Sequence, residues 1–216
     1  MTSPVIQSLG DTAVTFKLGH EISDELSRAV VAHAKAVSAA GIIGVSEVVP
    51  SYASLTVYYD PAVIRYDDIC QRALAVIREP IHLEANGADG AIHRLPVVYD
   101  GEDLSEVAQR TGLSVDDVIQ IHSSTEYRVF VTGFVPGWAY LGILDEQLAL
   151  PRRESPRKRV PPGSVAIAER QTGIYPAATP GGWHIIGTTS ARMFDPTRDQ
   201  PALFAVGDTV RFEPVG

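Results

Sequence analysis

Apolar and polar residues alternate loosely over 12–18 (Thr-Ala-Val-Thr-Phe-Lys-Leu), which predicts a strand. The rhythm then changes. Ile22, Leu26, Ala29, Val30 and Val37 recur at spacings of four, three, one and seven, which is one face of a helix over 22–39 that Gly41 ends. Two β-rich runs follow, 42–49 and 54–59, with Pro50 and Ser51 between them. A second helix is expected from Asp67 to Arg78, with Ile69, Ala73, Val76 and Ile77 inward and Pro80 as its stop. A short run at 81–84 completes the order β-α-β-β-α-β, the split pattern of a ferredoxin-like domain.

Asn86-Gly87-Ala88-Asp89-Gly90 is poor core material and reads as a linker. Beyond it the pattern predicts a strand at 92–99 and helices at 102–110 and 115–122. Ser114 caps the second of these, with Asp117 three residues on. A strand follows over 125–135, with Tyr127, Val129 and Val131 on one face. From Gly133 to Gly187 the chain holds 8 of its 18 glycines and 7 of its 15 prolines. Short strands between glycine and proline turns point to a β-barrel or sandwich, with later strands at 164–168, 183–188 and 208–213. The expected class is α+β. Residues 1–85 form a small α/β domain, 86–90 the linker and 91–216 a mainly β domain.

Composition narrows the function. The 216 residues carry a net charge of −8, which argues against a duplex nucleic-acid binder. One cysteine, Cys70, allows no intrachain disulfide and no cysteine zinc cage. The six histidines, including His20, His33, His82 and His93, are scattered, so no metal site is expected. No apolar run reaches the ~20 residues of a membrane span, and Met1–Gly10 shows no export signal, so the expected location is the cytoplasm. P-loop, dinucleotide, nucleophile-elbow and zinc-protease motifs are all missing from the sequence.

The candidate chemistry lies in the second domain. Pro136-Gly137 suits a type II turn, flanked by Trp138 and Tyr140. Gln171-Thr172-Gly173-Ile174-Tyr175-Pro176 and Thr179-Pro180-Gly181-Gly182-Trp183-His184 read as two further turn clusters, whose backbone N–H groups could hold an anion. Arg152, Arg153, Arg157, Lys158 and Arg159, against Glu154 alone, make an extended +4 segment suited to phosphate or carboxylate. A solvated loop would show the same run. His122 stands at the end of a predicted helix, as a base or as a cap on the last carbonyls.

Together, several segments resemble one known family. They are Gly10-Asp11-Thr12-Ala13, Ile121-His122-Ser123, Gly133–Gly137 with Tyr140-Leu141, Pro151-Arg152 with Pro156-Arg157, the run 171–187, Phe194-Asp195-Pro196 and Gly207-Asp208. In this order they resemble the 5-oxoprolinase B-subunit family, which includes KipI and allophanate hydrolase subunit 1. The resemblance implies a cyclophilin-like barrel for the second domain. It also implies ATP-dependent opening of the 5-oxoproline lactam to glutamate, with ATP and Mg2+ as the cofactor. The C subunit of 5-oxoprolinase is the implied direct partner and the A subunit a second. Alternatives within the resemblance are a KipI-like inhibitor of a sensor histidine kinase and a carboxyltransferase half acting on a urea-like amide. On the enzyme reading, Arg153, Arg157 and Arg159 neutralise phosphate or the substrate carboxylate. N–H groups near Gly137 and Gly181 hold an oxyanion, and His122 or His184 shuttles a proton. Pro136, Tyr140, Gln171, Thr172, Tyr175 and Gly182 complete the expected binding surface.

Overall fold

A computed structural model describes residues 4–80 and 90–216. The expected strand at 81–84, His82 and linker positions 86–89 lie outside the described residues. The chain divides into two compact units, Met1–Asp89 and Gly90–Gly216.

In the first unit, strands β1 (Val5–Ser8), β2 (Ala13–Lys17), β3 (Val45–Pro50) and β4 (Ser54–Tyr59) form an antiparallel sheet in the order β1-β2-β4-β3. Helix α1 (Asp24–Ala39) links β2 to β3, and β4 lies between those two strands. Helix α2 is Tyr66–Arg78. Ser23, rather than Ile22, starts α1: its hydroxyl accepts from the Leu26 N–H at 3.2 Å, and Ile22 stays exposed outside the helix. Val14, Phe16, Leu55 and Val57 of the sheet bury against Val30 and Val37 of α1 and Ile69 and Ala73 of α2. β1 was not expected from the sequence; its burial is slight, so its residues carry little apolar pattern.

The second unit is built on a seven-stranded sheet. Its strands are β5 (Ile92–Val97), β6 (Glu126–Thr132), β7 (Ala139–Gly142), β9 (Ser164–Ala168), β10 (Gln171–Ile174), β12 (His184–Thr188) and β13 (Thr209–Pro214), in the order β12-β9-β10-β7-β6-β13-β5. Only β5 and β13 run parallel. Val98, just past β5, exchanges backbone hydrogen bonds of 2.9 and 2.8 Å with Thr188 at the end of β12. The two edges of the sheet therefore meet, and the barrel is nearly closed. Helices α3 (Leu104–Thr111) and α4 (Val115–Ser124) pack through Val107, Ala108 and Val118 on the main core with Tyr127, Val129, Leu141, Ile167 and Phe212. The capping box expected at Ser114 forms with Asp117. A separate ribbon pairs β8 (Arg157–Val160) with β11 (Thr179–Gly181).

Two expectations change here. The clusters at 171–176 and 179–184 are mostly strand, not turn. Gln171–Ile174 pairs with β9 in full register, and the tight turn sits at Glu169-Arg170, where Glu169 takes φ +54°. The cation run is loop only in part: Arg157, Lys158 and Arg159 lie in the β8–β11 ribbon, while Arg152 and Arg153 precede it outside any helix or strand.

Candidate functional site

The ribbon covers a second apolar cluster made by Trp138, Val160, Ala166, Ala168, Tyr175, Trp183 and Ile185. Trp138 is its hub. Its ring meets those of Tyr175 at 4.8 Å, Trp183 at 5.1 Å, Tyr140 at 5.6 Å and Phe134 at 5.7 Å, all edge to face. Such packing is favourable because the positive edge of one ring faces the negative face of another. The indole N–H of Trp138 is buried without an acceptor among the described residues.

A cleft of about 120 Å³ opens beside this hub, between Phe134, Tyr140, Tyr175, Trp183, Gly181 and Arg152. The Arg152 guanidinium lies 6.0 Å from the centre of the Trp183 ring. Burial raises the pKa of the Tyr175 phenol, so it stays protonated at neutral pH.

The turn leading into Trp138 is as expected. Gly137 has φ +86°, and the Trp138 N–H donates to the Val135 carbonyl at 3.0 Å across Pro136-Gly137. Just before it, the Val135 N–H donates to the Gly133 carbonyl at 2.8 Å, with Phe134 between them at φ +66°. That is a three-residue γ-turn with a bulky residue in the left-handed region, an unfavourable arrangement found mostly where neighbours over-determine the backbone. Phe134 is largely exposed and borders both the cleft and a larger apolar cavity of about 400 Å³. Pro136, Gly137, Phe194 and Phe204 line the larger cavity, and no charged side chain lines it.

Of the expected site residues, Tyr140, Tyr175, Gly181 and Gly182 come together in the cleft, and Pro136 and Gly137 border the neighbouring cavity. The second expected glycine turn does not form as a turn: neither Gly181 nor Gly182 takes a left-handed φ, Gly181 pairs with Arg157 in the ribbon, and the Gly182 carbonyl accepts from Arg153 N–H at 2.8 Å. Gly181 is required for a different reason. A Cβ there would stand 2.1 Å from the Tyr175 hydroxyl, whereas at Gly182 the nearest atoms would be 3.7 Å away. Gly181→Ala is expected to cost about 1–3 kcal/mol. Gly182→Ala should stay within about 0.5 kcal/mol. Urea unfolding of the pair measures this difference.

The arginines do not ring the cleft. Arg153 and Arg157 turn to Asp103, whose Oδ1 accepts from Arg153 Nη1 at 2.8 Å and from Arg157 Nη2 at 2.6 Å. Arg153 also reaches Glu106 at 2.9 Å, and Arg157 reaches Glu102 at 2.8 Å. The hydrogen bond from Arg153 holds the Glu106 carboxyl below its usual range. Arg159 and Lys158 are exposed on β8. Among the described residues Arg152, Lys158 and Arg159 have no carboxylate partner. Arg152 alone of the five cations faces the cleft.

The histidines depart furthest from expectation. His122 is fully buried and stacks on Phe212 at 4.6 Å. Thr172 Oγ1 gives its proton to the Ala166 carbonyl at 3.1 Å, so His122 Nε2–H must donate to Thr172, at 2.9 Å. Nδ1 then accepts from the Tyr99 hydroxyl at 2.8 Å. Burial lowers its pKa to about 3. A neutral imidazole with both nitrogens occupied and no access to solvent shuttles no proton, and Thr172 is its core partner rather than a ligand contact. His184 is also fully buried, and its Nε2–H donates to the Pro151 carbonyl at 2.9 Å. It holds the backbone next to Arg152. Gln171 lies on β10, half-buried and outside the cleft lining. Among the described residues no group of three or more metal-ligating side chains assembles. No described helix is long and apolar enough to cross a membrane.

Neither of these two cavities fits ATP. The smaller cleft offers a single cation, Arg152, to a chain of phosphates. The larger cavity has no cation for phosphates.

Comparison with known proteins places this architecture. The family model "Carboxyltransferase domain, subdomain C and D" matches residues 4–204. The chain is 38% identical to the 5-oxoprolinase B subunit of Bacillus subtilis (strain 168), over 96% of this chain and 91% of that protein. It is 53% identical to the 5-oxoprolinase B subunit of Escherichia coli O157:H7, over 61% of this chain and 62% of that protein. The solved structure of TTHA0988 superposes with a TM-score of 0.83 at 37% identity, covering 94% of this chain. This chain spans only 40% of the length of TTHA0988. The chain therefore belongs to the 5-oxoprolinase B-subunit family, built on the carboxyltransferase domain, subdomain C and D.

Proposed function

We propose that this chain is the B subunit of an ATP-dependent 5-oxoprolinase, acting with the A and C subunits in the cytoplasm to open the 5-oxoproline lactam to L-glutamate. The observation that carries this reading is the 38% identity to a 5-oxoprolinase B subunit over 96% of the chain. On this reading the site is partial. The small aromatic cleft with its unpaired arginine suits a small acid, and among the described residues its lining carries no imidazole or carboxylate base and no group of metal-ligating side chains. The chain is inactive alone on this account. The nucleotide, with Mg2+, is bound by the other subunits or at a surface shared with the C subunit. The finer fold reading, ferredoxin-like then cyclophilin-like, draws support from the β2-α1-β3 crossover around β4 and from the nearly closed barrel.

A second reading is a carboxyltransferase half acting on a urea-like amide, favoured by the family model that spans residues 4–204. The test mixes this chain with the purified A and C subunits, ATP and 5-oxoproline, and measures glutamate and ADP. The proposed function predicts both products in the complete mixture and neither when this chain is left out. Full turnover without the chain overturns it.

A further inference from the structure

We infer that the cleft under Arg152 is the binding site for the cyclic amide acid itself: the guanidinium takes the carboxylate and the lactam ring lies against the aromatic walls. The inference deepens the proposed function and rests on it for the identity of the ligand.

Three observations converge on this. First, Arg152 is the cation left over. Arg153 and Arg157 are held by Asp103, Glu102 and Glu106, which fixes the segment that follows Arg152. The Pro151 carbonyl is tied to His184, and the Arg153 N–H to the Gly182 carbonyl. Arg152 thus projects from a backbone fixed on both sides, with its charge unmatched by any described carboxylate. A planar guanidinium fork matches a carboxylate in two parallel hydrogen bonds. Second, the walls are the rings of Tyr140, Tyr175, Trp183 and Phe134, flat apolar faces suited to a small, nearly planar ring. Third, the size discriminates. A volume of about 120 Å³ is on the scale of a five-membered lactam with one carboxylate and below the range of sites that enclose larger ligands. Phe134, largely exposed and held on the γ-turn, also lines the cleft and packs edge to face on Trp138.

The chain's two tryptophans are Trp138 and Trp183, and both line this cleft. Intrinsic tryptophan emission of the full chain is therefore a direct probe. Titration with 5-oxoproline is expected to change the emission saturably, and ATP is not. 2-Pyrrolidinone, the same ring without the carboxylate, should bind at least tenfold more weakly. Arg152→Gln, an exposed substitution that spares the fold, should weaken 5-oxoproline binding about ten- to hundredfold. Emission unmoved by 5-oxoproline, equal affinity for 2-pyrrolidinone, or unchanged affinity in Arg152→Gln each overturns the inference.

The inference and the proposed function fail separately. Turnover in the reconstituted mixture with an unaltered KM for 5-oxoproline in Arg152→Gln overturns the cleft assignment and leaves the function standing. Arg152-dependent binding in a mixture that makes no glutamate overturns the function and leaves the cleft standing.

Discussion

Asp103→Ala is expected to remove about 3–5 kcal/mol of stability, the range for breaking a buried ion pair from one side. The Asp103 carboxylate is nearly inaccessible and fully used: Oδ1 accepts from both Arg153 and Arg157, and Oδ2 accepts from the Ile185 N–H at 2.7 Å. It sits at the N-terminal end of α3 but makes no capping bond to that helix, because the arginines and β12 take both oxygens. Removing it strands two partly buried guanidiniums and a buried backbone donor together. Asp103→Asn keeps an acceptor for Ile185 and loses the charge, so its loss should be smaller. Urea unfolding at pH 7 reads both variants, and a loss under about 1 kcal/mol for Asp103→Ala contradicts the account. Asp103 is a positioning residue, since it touches the arginine segment and never the cleft.

Acid should destabilise the second unit through His122. In the folded chain burial depresses its pKa to about 3, while the unfolded chain titrates near 6.5. Between those values the unfolded state binds the proton and the folded state does not, so stability is whole above pH 6.5 and falls as the pH drops toward 3. The slope from this residue is about 1.4 kcal/mol per pH unit well inside the window. Burial lowers the His33 pKa in the first unit as well, so that unit has an acid-sensitive group of its own. His122→Gln keeps a polar side chain for Tyr99 and Thr172 but has nothing to protonate. It should lower stability at pH 7 and flatten the fall between pH 7 and 5. Chemical denaturation at several pH values decides this, and an equally steep acid limb in His122→Gln contradicts the burial argument.

What could be read in the sequence was what neighbouring residues decide. The Ser114–Asp117 capping box, the Pro136-Gly137 turn and the apolar face of α1 each depend on a few adjacent positions, and each formed. Strands β10 and β11 were missed because Gln-Thr-Gly-Ile and Thr-Pro-Gly carry little alternation; distant partners, β9 and β8, hold them. The arginines were legible as a charged run but not in their roles. Asp103 lies about fifty positions from Arg153 and Arg157, and no local signal tells which cations it will neutralise. His122 was misread for the same reason: its helix-end position is local, but its stack on Phe212 and its bond to Thr172 are not. Trp183 and Phe134 were visible only as members of glycine-rich motifs until the ribbon brought them to one cleft.

The most direct test compares two variants in the complete three-component mixture, with 5-oxoproline varied at saturating ATP. If the exposed cleft and not the core imidazole serves the substrate, Arg152→Gln raises the KM for 5-oxoproline at least tenfold, and His122→Gln, assayed where it is folded, keeps the wild-type KM and pH profile. A normal KM in Arg152→Gln beside a shifted pH profile in His122→Gln would contradict the account.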